Sequence, residues 1–144
     1  MTPADMAALH ALCFTRPPPW SAATFASFAT DPLCFALLEA DSFLIGRVVA
    51  GEAELLTLAV APQNRRRGLG TRLVSRFTYQ ARLRRAEQAF LEVAADNTPA
   101  IALYAHAGFA PTGRRKGYYN APGLPPADAI LMTRVLGTGD PPIS

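Results

Sequence analysis

Only two cysteines, Cys13 and Cys34, occur in 144 residues. That is too few for a disulfide framework, and neither has the Cys-x-x-Cys or Cys/His spacing of a metal site. Both read as buried thiols, because free cysteine behaves as a small hydrophobe. His10 and His106 stand alone inside helical segments, so no metal is expected. No apolar run approaches the roughly 20 residues of a membrane span, and the first residues lack the basic start, apolar middle and small-residue cleavage pattern of a secretory signal. A cytoplasmic protein with no membrane contact is expected. Internal repeats are missing too. Half of the residues are hydrophobic, enough at this length for one core and not for two.

Lysine is almost absent. The net charge of +3 rests on thirteen arginines and Lys116, and eight of the arginines fall between Arg65 and Arg85. Planar guanidinium forks match phosphate oxygens, so this local patch suits a polyphosphate ligand, an acidic partner or nucleic acid.

The apolar positions Met6, Leu9, Leu12 and Cys13 predict a helix after Thr2 as N-cap and Pro3 in the first turn. The run Arg16-Pro17-Pro18-Pro19 breaks it, and Ser21 caps a second helix carrying Phe25 and Phe28. Residues 33–39 and 43–50 predict a β-hairpin turning at Ala40-Asp41-Ser42, and 54–60 a third strand that Pro62 ends. Gly68 and Gly70 open a helix of about 15 residues with Leu69, Leu73, Phe77 and Ala81 on one face. A short strand at 90–93 follows, then a helix from Thr98-Pro99 with Gly108 at its C′ position. A strand from Phe109, a Gly- and Pro-rich loop through Pro126 and a last strand over 129–135 complete the domain. The expected architecture is α+β, a three-layer α/β/α arrangement with a mixed, mostly antiparallel central sheet and helices on both faces. The domain is expected to span 1–136, with 137–144 as a loose tail.

Chemistry concentrates in Leu58-Ala59-Val60-Ala61-Pro62-Gln63-Asn64-Arg65-Arg66-Arg67-Gly68-Leu69-Gly70-Thr71, a strand, a turn and a glycine-rich entry into a helix. Amides at a helix N-terminus have no intrahelical partners and sit at the positive end of the dipole, so the segment suits a pyrophosphate. It is not a P-loop, lacking the Gly-Lys-Ser/Thr ending, nor a dinucleotide GxGxxG, lacking the third glycine. By itself it also fits an ordinary turn with a solvated basic face. Arg65-Arg66-Arg67-Gly68-Leu69-Gly70 resembles, however, the coenzyme A loop of the GNAT acetyltransferase superfamily. Leu91-Glu92-Val93, Asn97 and Ala100-Ile101-x-Leu103-Tyr104-x-x-x-Gly108-Phe109 resemble the second half of that signature.

Within the superfamily the sequence is similar to the RimI type, the ribosomal-protein alanine N-acetyltransferases. The similarity rests on Pro19-Trp20-Ser21, Gly51-Glu52-Ala53-Glu54-Leu55-Leu56, Leu91-Glu92-Val93, Leu103-Tyr104, Arg114-Arg115-x-x-Tyr118-Tyr119 and Asp128-Ala129. The chain departs from the pattern where it starts almost at the first helix and where Ala94-Ala95-Asp96 follows the glutamate strand. The resemblance implies acetyl-CoA as cosubstrate, held by Leu58, Ala59, Val60, Arg65 to Thr71, Asn97 and Tyr104. It also implies a protein or peptide N-terminus, that of a small-subunit ribosomal protein, as acceptor, with no direct nucleic-acid role.

An N-terminal amine, with a pKa near 8, is mostly protonated at neutral pH, so a base is needed. Glu92, between two apolar strand residues, is the candidate: partial burial would raise its pKa toward the working range. Pairing with an arginine is its other reading. Tyr104 is the candidate acid for the departing thiolate, or else a plain core aromatic, and Asn97 is a cofactor ligand, a helix cap, or both. The strand 58–60 would offer an N–H to the polarised carbonyl. Trp20, Glu52, Tyr118 and Tyr119 are candidate acceptor residues, as carboxylates hold ammonium groups and aromatics wall a peptide groove. A small-molecule amine acceptor, a ribosome-binding module and a non-catalytic acyl-coenzyme A sensor are the competing readings.

Overall fold

The computed structural model describes residues 1–14, 18–65 and 67–137. The breaker residues Arg16 and Pro17, the loop arginine Arg66 and the tail from 138 onward lie outside them. Helix α1 (Pro3–Cys13) starts on a reciprocal cap: the Asp5 amide donates to Thr2 Oγ1 and the Thr2 amide to Asp5 Oδ2. Helix α2 (Ala22–Ala29) starts on Ser21, whose hydroxyl accepts from the Thr24 amide. Strands β1 (Cys34–Glu39), β2 (Ser42–Val49) and β3 (Glu52–Val60) form an antiparallel meander. A single 3₁₀ turn at Pro62–Asn64 leads to α3 (Leu69–Leu83), followed by β4 (Gln88–Ala94), α4 (Thr98–His106), β5 (Ala110–Ala121) and β6 (Leu124–Val135).

The six strands lie in the order β1-β2-β3-β4-β6-β5, and β3 with β4 is the one parallel pair. Helices α3 and α4 cover one face around Leu73, Val74, Phe77, Tyr104 and Phe109. Helices α1 and α2 cover the other around Met6, Leu9 and Phe25. Three layers and a mixed sheet are as the sequence leads one to expect.

One segment differs. The Gly- and Pro-rich stretch read as a loop through Pro126 is instead the end of a long hairpin, with Ala121 paired to Leu124 and Gly123 at a φ of 75°. Two residues, Pro122 and Gly123, make the whole turn, and glycine supplies the left-handed conformation it needs. Pro125 and Pro126 are tolerated in β6 because β4 pairs only from Ala129 onward, leaving this end of the strand with one neighbour.

A β-bulge positions the site. Gly46 pairs with Leu55 and Ile45 with Thr57, which leaves Leu56 as an extra residue in β3. Before it, Ala53 and Leu55 face α3 and α4; after it, Leu58 does so and Ala59 turns to α1 and α2. Parallel pairing with β4 ends at the same place, with Glu54 opposite Phe90. Bulges bend a strand and raise its twist, so the two parallel strands diverge from there toward their C-terminal ends.

Candidate active site

The divergence leaves the β3 edge over 55–60 and the β4 edge over 91–94 without strand partners toward each other. Main-chain N–H and C=O groups there need partners, which makes the wedge a place for a ligand that can act as an extra strand. It lies at the carboxyl ends of two parallel strands, where open α/β sheets bind ligands.

The glycine-rich loop closes one end. Asn64 Nδ2 donates to the Ala40 carbonyl at 3.1 Å and Arg65 Nε to the Val60 carbonyl at 3.2 Å, tying the loop to the sheet. The Cys13 thiol also donates to that carbonyl, at 3.4 Å. Gly68 is the N-cap of α3 with a φ of 74° and offers no side-chain cap, so the first amides of α3 stay open to an anion. The two glycines do different work. A Cβ on Gly68 would meet nothing, whereas one on Gly70 would lie 3.1 Å from Leu103 Cδ2. Gly68 therefore answers a backbone requirement, and Gly70 lets α3 approach α4. Arg65, Arg67 and Thr71 are exposed around this helix start, Gly70 is half-buried and Leu69 is buried.

The arginine run is not one patch. Arg72 and Arg76 reach back to Glu39 at 3.5 and 3.9 Å, Arg76 also donates to the Leu38 carbonyl, and Arg84 stacks on the Phe35 ring. These three fasten α3 to β1.

Leu91 and Val93 point into the core under α3 and α4, so strand alternation sends Glu92 to the opposite face. There Glu92 Oε1 pairs with Arg115 Nη2 at 3.2 Å. The Arg115 guanidinium lies 4.9 Å from the centre of the Tyr118 ring, which in turn meets Tyr119 edge to face. Tyr119 is buried among Ala94, Ala127 and Ala129. Its phenol is pushed up to about 12, first by burial and then by the Glu92 carboxylate. Glu92, Tyr118 and Tyr119 thus belong to one cluster. Asp128 braces it by accepting from the Gly117 amide at 2.8 Å and from Arg114 Nε at 2.6 Å, which together hold its carboxyl below the usual range.

Tyr104 sits across the sheet from that cluster, on α4, buried against Phe109. Burial raises its phenol above the ordinary range, so it stays protonated at neutral pH and can only give a proton. Asn97 caps α4, its Oδ1 accepting from the Ala100 amide at 3.3 Å. Trp20 is anchored by its amide, which donates to His10 Nδ1 at 3.0 Å, and by its ring, which stacks on the same imidazole.

Glu52 is not brought to the wedge. It starts β3 beside Gln88, where the two parallel strands are still paired, and eight residue steps at about 3.3 Å each lead along the strand from it to Val60. Its tandem carboxylate Glu54 is taken by Arg47 at 2.8 Å. Arg115 and Asp128, by contrast, gain roles that sequence reasoning did not give them; their signal lay in Arg114-Arg115 and Asp128-Ala129, two motifs that only strand pairing joins. Among the described residues no group of side chains has the makings of a metal site, and no helix is long and apolar enough to cross a membrane.

The acetyltransferase (GNAT) family model matches residues 5–109. The ribosomal protein bS18-alanine N-acetyltransferase of Salmonella typhimurium is 39% identical over 119 residues, which is 79% of each chain. The crystal structure of the ribosomal-protein-S18-alanine N-acetyltransferase of Escherichia coli superimposes with a TM-score of 0.82 at 28% identity, covering 99% of this chain and 92% of that one. The NatC complex bound to Gag peptide and CoA has the same fold, with a TM-score of 0.77 at 18% identity over 93% of this chain and 90% of that one.

Proposed function

The chain belongs to the acetyltransferase (GNAT) family, an acetyl-coenzyme A-dependent N-acetyltransferase, and from that premise we propose that its acceptor is the N-terminal amine of a small-subunit ribosomal protein, with Glu92 as base and Tyr104 as acid. The wedge carries this reading. It has two walls of opposite chemistry: open helix amides and a proton-donating phenol on the α3/α4 face, and a carboxylate among aromatics on the other.

The residues fit the cosubstrate. The α3 amides and Arg65 and Arg67 suit its pyrophosphate, and the open β3 edge over 58–60 suits its amide-bearing arm. When bound, the group supplies a thioester carbonyl and a thiolate leaving group. Glu92 takes a proton from the acceptor ammonium, directly or through a water, and so frees the lone pair for attack. An N–H of the open β3 edge faces the oxygen that gains charge. Tyr104 gives its proton to the leaving sulfur. Trp20, Tyr118 and Tyr119 wall the acceptor side, while Glu52 is dropped from this set for its distance. The bS18-alanine acetyltransferases supply the choice of a protein N-terminus.

Thiol release from acetyl-coenzyme A would be followed with a short peptide copying the N-terminus of that ribosomal protein, an N-terminally blocked copy, and a polyamine. Release with the free peptide alone is the expected result. Release with the polyamine alone would overturn the peptide assignment and leave the enzyme class intact.

A further inference from the structure

Of the arginines on α3, Arg82 faces neither β1 nor the glycine-rich loop. It lines a groove of about 330 Å³ between α3, the C-terminal end of α4 and β6, and Arg134 of β6 enters from the opposite wall. The Arg134 guanidinium lies against Gly108, where even a Cβ would come within 3.2 Å of Nε, so the glycine that ends α4 makes its room. Among the described residues its guanidinium makes one hydrogen bond, a long one from Nη1 to Thr78 Oγ1 at 3.4 Å. Among the described residues no carboxylate lines the groove, and the exposed His106 also lines it.

Two half-buried guanidiniums therefore share a small cavity with no counter-charge among the described residues. Burial and the charge of Arg82 both disfavour the charged form of Arg134. Such a pair costs free energy unless an anion joins it. The dipole of α3 accounts for a cation in its last turn, Arg82, but not for Arg134 on a strand. Ser75, Tyr79 and Arg82 stand at i, i+4 and i+7 and so present two hydroxyls and a fork along one stripe of α3. Forks plus hydroxyls match the tetrahedral oxygens of a phosphate. The groove runs along α3 from Thr71, near the glycine loop, to Arg82; the helix rise puts Arg82 about 20 Å from the start of α3, too far to share the anion at the glycine loop.

We propose that this groove is a second anion site, built to take a phosphate monoester between Arg82 and Arg134. The phosphate belongs to a separate phosphorylated ligand, because the 3′-phosphate of the cosubstrate is one ribose away from the pyrophosphate at the start of α3 and does not span the distance to Arg82.

The probe is inorganic phosphate, titrated calorimetrically into enzyme saturated with dephospho-coenzyme A, which fills the glycine loop and brings no phosphate monoester of its own. Binding is expected that chloride at equal ionic strength does not reproduce. Arg82→Gln and Arg134→Gln are each expected to weaken it roughly tenfold, the effect of losing one charge-assisted contact, and Arg84→Gln to leave it unchanged. Arg82 is half-exposed, so its variant carries the test if Arg134→Gln fails to fold. Phosphate binding no better than chloride, or an Arg82→Gln protein that binds as the parent does, would overturn the proposal. The titration is repeated with coenzyme A in place of dephospho-coenzyme A: retained phosphate binding is expected and assigns the groove to a separate ligand, and lost binding would mean that the cosubstrate's own phosphate reaches it, which overturns a separate site.

Discussion

Glu92 and Tyr104 lie on opposite sides of the sheet, so their loss should be felt separately. Glu92→Gln is expected to lower kcat about 100-fold and leave the Kd of coenzyme A unchanged, since proton transfer by a placed side chain contributes on that scale. Tyr104→Phe should lower kcat comparably at unchanged peptide KM; steady-state kinetics on both variants, with calorimetry for the cofactor, checks the pair. His10 makes a prediction about stability. It is fully buried, accepts from the Trp20 amide and bonds Thr57 Oγ1 at 3.0 Å, and burial pushes its pKa down to about 4. The unfolded chain takes up this proton near 6.5, while the folded chain refuses it until about 4. Stability is therefore complete above about 6.5 and falls as the pH drops from there toward 4, by up to about 3 kcal/mol. Urea midpoints across that range should show the slope, and His10→Gln should flatten it. The partners of His10 on β3 and before α2 are not legible in the sequence, being 47 and 10 residues away.

Strand β2 and helix α3 meet through Gly46. A Cβ there would come within 2.5 Å of Phe35 Cζ and 3.0 Å of Phe77, and Phe35 already stacks on Phe77 at 6.0 Å between ring centres. Gly46→Ala is expected to destabilise the fold by about 2 kcal/mol through overpacking, read as a lower urea midpoint with an unchanged slope. Gly46 also lies next to the register slip at Leu56, so the same element shapes both the core and the wedge. The boundaries of α3 and α4 were legible because their signals are local: Gly68 and Gly70, Asn97-Thr98-Pro99 and Gly108. The β5–β6 hairpin was not, since Pro122-Gly123 and Pro125-Pro126 carry the composition of a loop. Only pairing across the turn reveals strands there.

At the scale of the molecule, the proposed donor groups lie on one face of the sheet and the proposed acceptor groups on the other, so the proposed reaction brings both substrates to one wedge together. On that proposal transfer is direct, without an acyl-enzyme. Initial rates with both substrates varied should give intersecting double-reciprocal lines, and parallel lines would contradict the two-sided arrangement. Burial and Asp31 push the Cys34 thiol up, which disfavours its thiolate, and the Cys13 thiol donates to the Val60 carbonyl. Both replaced by alanine should retain turnover. The sequence by itself determined the layers, the glycine-rich loop that opens α3, the capping role of Asn97 and the kinship that names the chemistry, because each is written in residues close together along the chain. Tertiary structure alone decided that Leu56 bulges and opens β3 from β4, that Glu92 meets Arg115, that Glu52 stands at the closed end, and that Arg72, Arg76 and Arg84 serve the fold while Arg82 joins Arg134. Each of these joins residues from different strands and helices, and strand register and helix packing, set by burial over the whole domain, place them.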